Sequence, residues 1–324
     1  MIGRIRHSVS RTLRTWFPDR EIEYEAIILA LVIGLVVVLT VLPAPPNSLT
    51  VSPYTTADWA AMVEEYGIAP RANGKVRETI PRIYLKQFPN DWPADLLVDE
   101  RKRLFVAALL PLVLAENERL SAERAKLMPI LKRMEGGKTP SRAERKFVEA
   151  LAAEYGLDEV NAGLLRRRVV PIPVSLALAQ GAIESGWGTS RFAMEGQALF
   201  GQWVWDDDAG LVPDARAEGA SHAVRSFTDL AESVRSYARN LNTHGAYRNF
   251  RGRRASLMES RGGDGTAVSG TQLAATLVRY SERREEYVAE LRTVIRVNGF
   301  GDYRRVRLRD TINIPSPDSG DPSI

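Results

Sequence analysis

Val174-Ser175-Leu176-Ala177-Leu178-Ala179-Gln180-Gly181-Ala182-Ile183-Glu184 is apolar or small on nearly every side of a helix, and it leads into Ser185-Gly186-Trp187-Gly188-Thr189-Ser190. A helix of this kind belongs at the centre of a domain rather than on its surface. It ends on a carboxylate, which is expensive to bury. Glu184 shares a helix face with Ala177, Gln180 and Gly181, and small neighbours there let other backbone come close and leave the carboxyl in low-dielectric surroundings. Such surroundings raise a carboxyl pKa and keep it protonated near neutral pH. Spacing alone equally allows Glu184 to be a capping or ion-paired residue at a helix end.

Past Glu184, Gly186 and Gly188 supply left-handed conformations around Trp187. Trp187 is expected to pack under the site, and Phe200-Gly201 in Leu199-Phe200-Gly201-Gln202-Trp203 to form a second wall. Sugar rings expose apolar CH faces, so aromatics beside a single acid suit a saccharide site. A protonated carboxyl is what donates to a leaving glycosidic oxygen.

Working outward, Trp203 to Val224 breaks the helical pattern. Trp203-Val204-Trp205, the turn-prone 206–210 and the partial alternation of Ser221 to Phe227 predict a small β-hairpin lobe. Helices are expected at Leu230–Leu241, Gln272–Arg279 and Glu282–Val297. Upstream, residues 58–168 form a helical region with few strand signals. It holds an apolar-stripe helix over Asp99–Ala115, a second helix over Ser121–Met134 with Ser121 as N-cap, and a capping box at Ser141–Glu144 opening a helix that Gly156 ends.

At the N-terminus Arg4, Arg6, Arg11 and Arg14 precede Ala26–Leu42, which carries no charge and would span roughly 26 Å as a helix. The expectation is one uncleaved transmembrane anchor at 26–42 in the inner membrane, with 1–25 cytoplasmic and the chain beyond it periplasmic. A cleaved signal peptide competes, but Pro45 and Pro46 follow Ala44 without a small-x-small site. Residues 43–57 are rich in Pro and Ser and are expected to be a linker; 311–324 are expected to be a disordered tail.

Composition narrows the partners. A formal charge of +4 over 324 residues gives no field for nucleic acid. The chain has no cysteine and only three scattered histidines, so no metal or other cofactor is expected.

The run Ala179–Ser190 followed by Leu199-Phe200-Gly201 resembles the signature of peptidoglycan N-acetylglucosaminidases related to the flagellar rod-cap muramidase and to autolysins, glycoside hydrolase family 73. Leu199–Trp203, Arg239–His244 with Ala246-Tyr247, and Tyr280–Arg283 with Glu286-Tyr287-Val288 are similar to its Bax-type branch, as are Pro81–Leu85 and Leu110–Glu118. The resemblance implies a mainly α, lysozyme-like α+β domain over 169–310 with a small β-lobe, acting on β-1,4 bonds next to N-acetylglucosamine in peptidoglycan strands. It implies Glu184 as proton donor and Tyr280 as the active-site tyrosine that helps position the N-acetyl group. Gln180, Trp187, Phe200 and Tyr287 are the expected substrate-binding residues. One departure is visible, since Gln197-Ala198 stands where the family usually writes Asn before Leu-Phe-Gly.

A second carboxylate is expected at Glu218, just before the strand-like Ser221–Phe227, unless the substrate's own acetamido group does that work; a solvated hairpin carboxylate is the alternative for Glu218. Asp206-Asp207-Asp208 lacks the spacing of a calcium loop and is expected to be a turn. Arg248, Arg251, Arg253 and Arg254 are expected on a solvated loop face, and His222 and His244 in structural roles. A lytic transglycosylase, which would leave anhydro-sugars, and a non-catalytic glycan-binding envelope scaffold are the competing readings.

Overall fold

The computed structural model describes residues 48–310 except 73–74, 93–95, 205–209, 214–222 and 261–267. The expected anchor 26–42, Asp206–Asp208, Glu218, His222 and the tail lie outside the described residues. Among the described residues, no helix is long and apolar enough to cross a membrane.

The described chain is mainly helical, with small strands at its edges. Strand β1 (Leu49–Val51) falls in the stretch expected to be linker. It is followed by α1 (Thr56–Glu65), opened by a reciprocal capping box in which Thr55 Oγ1 accepts from the Asp58 backbone N–H and Asp58 accepts from that of Thr55. Next come β2 (Arg71–Ala72), β3 (Lys75–Val76), β4 (Thr79–Ile80) and β5 (Ile83–Leu85), with β1 parallel to β5 and β2 antiparallel to β3. These strands correct the expectation of a strand-poor N-terminal region. At two or three residues each they are too short to show an alternating pattern.

Helix α2 (Val98–Glu135) replaces the two helices expected over 99–134. Its 38 residues run about 57 Å. Arg119 bridges the supposed break, pairing with Glu116 one turn back and Glu123 one turn on, so Ser121 is an interior residue rather than a cap. The box at Ser141 and Glu144 is present and starts α3 (Arg142–Glu154). Asn161 caps α4 (Ala162–Arg168).

Helix α5 (Val174–Ser185) is the central helix foreseen above, with every side chain from Val174 to Gly181 buried. Gly181 lets α2 press against it: a Cβ there would lie 2.6 Å from Leu109 Cδ2. The helix stops at Gly186, in the left-handed conformation at φ 59°. Then follow α6 (Arg191–Gly196) and the β-lobe, where β6 (Trp203–Val204) and β7 (Gly210–Leu211) both pair antiparallel with β8 (Ala223–Arg225) in the order β6-β8-β7.

Asp229 caps α7 (Leu230–Thr243), and α8 (Arg248–Glu259) follows a 3-10 turn at Gly245–Tyr247. The helix expected at 272–279 is one turn of α9 (Gly270–Leu273) continued as a 3-10 helix to Leu277, and α10 (Glu285–Val297) begins three residues later than expected. A 3-10 segment, Phe300–Arg305, and β9 (Arg307–Leu308) complete the path; β9 pairs in parallel with β4.

One hydrophobic core runs from Trp59 through α2 and α5 to Leu308. Asn117 of α2 adds a polar tie, its side chain accepting from the Ile172 N–H and donating to the Ile172 carbonyl, both at 2.8 Å. The boundary expected at 168/169 therefore does not separate two cores.

The arginine cluster is a correction. It lies on α8, not on a loop, and Arg251 and Arg254 are buried. Arg254 donates to the carbonyls of Arg167, Val170 and Pro171 and to Asn242 Oδ1, and Arg251 to those of Leu241 and His244. Burial lowers the Arg254 pKa to about 9 and that of Arg251 to about 10. Arg254 ties the loop ahead of α5 to Asn242 of α7, and Arg251 holds the end of α7, which carries one cleft wall.

Candidate active site

Glu184 stands in the last turn of α5, half-buried, at a cleft of about 1360 Å³. The opposite side is the chain after α6. Gly201, at φ 57°, turns there with its Cα so close that an added Cβ would sit 3.4 Å from Glu184 Oε2. Burial raises the Glu184 pKa to about 6. The Tyr287 phenol pulls in the other direction; the negative Glu290 adds to the rise and Arg283 opposes it.

Aromatic side chains build the cleft. Phe200 stacks on Tyr237 with ring centres 3.9 Å apart, and the Tyr280 hydroxyl donates to the Phe200 carbonyl at 3.1 Å. Tyr280 lies between Tyr247 at 5.8 Å and Tyr287 at 5.6 Å, nearly parallel to the latter. Burial raises the pKa of Tyr237, Tyr247, Tyr280 and Tyr287, so all four stay neutral phenols wherever Glu184 titrates. Trp203 of β6 is 58% exposed and lines the cleft, presenting a large aromatic surface where the β-lobe meets it.

The expected site residues separate into three groups. Glu184, Phe200 and Tyr280 line the cleft. Gln180 and Tyr287, expected to touch substrate, are instead 0% and 1% exposed and sit behind its wall. The reason is the apolar-all-round helix: Gln180 points into the core, where its amide is satisfied by the Tyr237 hydroxyl donating to Oε1 at 2.8 Å and by Nε2 donating to the Tyr287 oxygen at 2.9 Å. Trp187 forms the third group. Its backbone is left-handed at φ 61°, which turns the ring edge-on to Phe105 and toward Phe300, under Lys102. It lines a separate pocket of about 350 Å³ with Asp99 and Tyr303 rather than the Glu184 cleft.

Gln197 takes a left-handed conformation, φ 50°, as the C-cap of α6. That conformation favours Asn or Gly, and Gln holds it here.

The other cleft wall was not read from spacing. Asn240 and His244 come from the end of α7, Arg279 with Glu282 and Arg284 from the stretch before α10, and Glu285 from its first residue. Segment 278–284, where one expected helix was to end and the next to begin, lies between the helices instead; its structural mark is Arg284 at φ 48°, a strained position for a residue with a Cβ. His244 Nδ1 accepts from the Ala246 N–H at 3.3 Å and caps the 3-10 turn, so the neutral ring carries its proton on Nε2. Among the described residues, Glu282 and Glu285 are the further carboxylates lining the cleft, and no group of three His, Cys, Asp or Glu is placed to hold a metal.

Residues 166–299 match the family model described as glucosaminidase, mannosyl-glycoprotein endo-beta-N-acetylglucosaminidase. The chain is also similar to Protein bax of Escherichia coli (strain K12), 31% identical over 209 residues that cover 63% of this chain and 69% of the relative. The family match starts in α4 and ends after α10, so it takes in both the Glu184 helix and the wall at 278–285.

Proposed function

The chain belongs to the Bax-like glucosaminidase-domain proteins, and from that premise we propose that it hydrolyses β-1,4 bonds next to N-acetylglucosamine in peptidoglycan, with Glu184 as general acid. The observation that carries the reading is a carboxyl held near pKa 6 by burial at the floor of a wide aromatic cleft. Nothing about a helix cap requires such a cleft.

In this account a glycan strand lies along the cleft with a sugar ring against Trp203. Glu184 gives its proton to the glycosidic oxygen, the bond to the anomeric carbon breaks, and that carbon develops oxocarbenium character. Tyr280, held by its bond to the Phe200 carbonyl, presents its ring edge to the acetamido side of the sugar. Water completes the reaction by one of two routes: it attacks the anomeric carbon as a second carboxylate takes its proton, or the acetamido oxygen first closes onto that carbon and water then opens the ring, giving its proton to the Glu184 carboxylate. Glu218 remains the candidate for that carboxylate, since it falls in the connection between β7 and β8 of the lobe. The arginine-flanked apolar run at 26–42 supports anchoring in the inner membrane with the cleft on the periplasmic side.

Product analysis tests the reaction. Full-length protein incubated with purified peptidoglycan is expected to release fragments whose new reducing end is N-acetylglucosamine, identified by mass spectrometry. Anhydro-sugar ends would assign a lytic transglycosylase instead, and retained binding with intact strands would assign a glycan-binding scaffold. Full-length protein is used because a cut at Asp58 would remove β1 and the Thr55 cap of α1.

A further inference from the structure

Behind Glu184 the core holds an uninterrupted polar line in otherwise apolar surroundings. The Tyr237 hydroxyl donates to Gln180 Oε1 at 2.8 Å, Gln180 Nε2 donates to the Tyr287 oxygen at 2.9 Å, and the Tyr287 phenol, near enough to Glu184 to pull its pKa down, ends the line one helical turn along from Gln180. Gln180, Tyr237 and Tyr287 are each no more than 1% exposed. Buried polar groups are costly unless paired, and an apolar residue at 180 would fill the same space. The line therefore has to be explained by its direction.

An amide is fixed in what it offers, with oxygen accepting and nitrogen donating. Because Tyr237 occupies the amide oxygen, the Gln180 nitrogen must turn to Tyr287. The Tyr287 oxygen then accepts from Gln180, and its one proton is left for Glu184. We propose that Gln180 and Tyr287 are positioning residues whose fixed hydrogen-bond direction aims a phenol hydroxyl at the Glu184 carboxyl from behind the cleft wall. The arrangement holds the carboxyl's other oxygen toward substrate and favours the ionised form that remains after proton donation. Burial opposes that form. An acid left to burial alone would hold its proton too tightly to release it and then recover it within one cycle.

The groups facing Glu184 come from four places. Tyr287 and Glu290 belong to α10, and Arg283, which pairs with Glu290 at 2.7 Å, precedes it. Tyr280 lies on the wall before α10, Tyr237 on α7 and Tyr247 on the turn after it. The three tyrosines are neutral and do not titrate with the acid. The Arg283–Glu290 pair is left untouched in every variant below, so its effect on Glu184 is common to all of them.

This inference deepens the proposed function and rests on Glu184 being the acid, but it can be tested without substrate. Full-length protein carrying 13C-carboxyl-labelled glutamate is titrated by NMR, with the Glu184 signal assigned by its loss in Glu184→Gln. A midpoint near 6 is expected in the wild type. Tyr287→Phe should raise it by about half a unit to one unit, as loss of a single donor to a carboxylate does. Gln180→Met, which keeps the volume and frees the Tyr287 oxygen, should move it the same way by less. Tyr237→Phe, which removes the bond that fixes the Gln180 amide and lets it turn over, should also raise the midpoint, by no more than Gln180→Met does.

A purely structural role would lower the melting temperature of these variants while the midpoint stayed at the wild-type value, and that result overturns the proposal. Should Tyr287→Phe fail to fold with an orphaned amide, the Tyr287→Phe/Gln180→Met pair removes both polar groups and gives the same reading. Peptidoglycan cleavage is measured in parallel. If the wild type cuts, the alkaline limb of kcat moves with the NMR midpoint. If it does not cut, the proposed function fails while the titration still decides the positioning line.

Discussion

At the scale of single residues, Glu184 links stability to pH with a definite sign. Its pKa rises from an ordinary 4.5 to about 6 on folding. The folded state therefore binds the proton more tightly than the unfolded chain, and the associated stability is fully present below pH 4.5 and lost as pH rises through 6. At 1.36 kcal/mol per unit, the loss is about 2 kcal/mol. Glu184→Gln removes the ionisation, so the variant should be more stable than wild type at pH 7.5, by up to about 2 kcal/mol, and nearly equal to it at pH 4. Denaturant unfolding at the two pH values checks this; a variant less stable at pH 7.5 would mean that the ionised carboxylate is well compensated.

His244 allows a second residue-level test, because its two nitrogens have separate jobs. Asn keeps an acceptor where Nδ1 caps the 3-10 turn but has nothing in place of Nε2; Gln keeps a donor near Nε2 and loses the cap. If Nε2 meets the glycan, His244→Asn should raise KM about tenfold, the worth of one hydrogen bond, and His244→Gln should not. Equal KM values in the two variants would remove His244 from substrate binding.

Among the secondary-structure elements, what the sequence made legible depended on whether the determining interactions were local. The capping box of α3 and the central character of α5 could be read because a cap spans four residues and a buried helix shows its apolar residues on every side. The unbroken course of α2 could not. Ser121 looks like a cap in isolation, and only the pairing of Arg119 with Glu116 and Glu123 reveals the continuous helix. Gln180 and Tyr287 were assigned to substrate for a similar reason: they are 107 positions apart, and nothing in either neighbourhood shows that they meet. The wall at 278–285 is hidden between two expected helices, Gln272–Arg279 and Glu282–Val297, whose facing ends stop short.

Two predictions belong to this scale. Ser141→Ala should cost about 1 kcal/mol by removing the α3 cap, measured by urea unfolding. Gly181→Ala places a methyl within 2.6 Å of Leu109 Cδ2, and separating α5 from α2 should cost about 1–3 kcal/mol. The Leu109→Ala change in the same chain should recover part of that loss if the clash is the cause, and none of it if Gly181 matters for another reason.

Across the whole molecule, the N-terminal strands and the end of the chain close around the cleft-bearing helices. β9 pairs with β4, and Arg82 joins the two regions, donating to the Arg309 carbonyl at 2.7 Å and pairing with Glu118 of α2 at 2.6 Å. The long helix is thus part of the scaffold that holds α5. The orientation of Glu184 is determined at this scale as well as locally, since α2, α7 and α10 each contribute to the surroundings of α5.

The central claim is that Glu184 is the acid of a glycan-cleaving site. The most direct measurement is the rate at which full-length wild type and Glu184→Gln release reducing ends from purified peptidoglycan, with circular dichroism confirming that both are folded. The account predicts that the variant is at least about 100-fold slower with its fold intact, and a folded variant that cuts at the wild-type rate would contradict it.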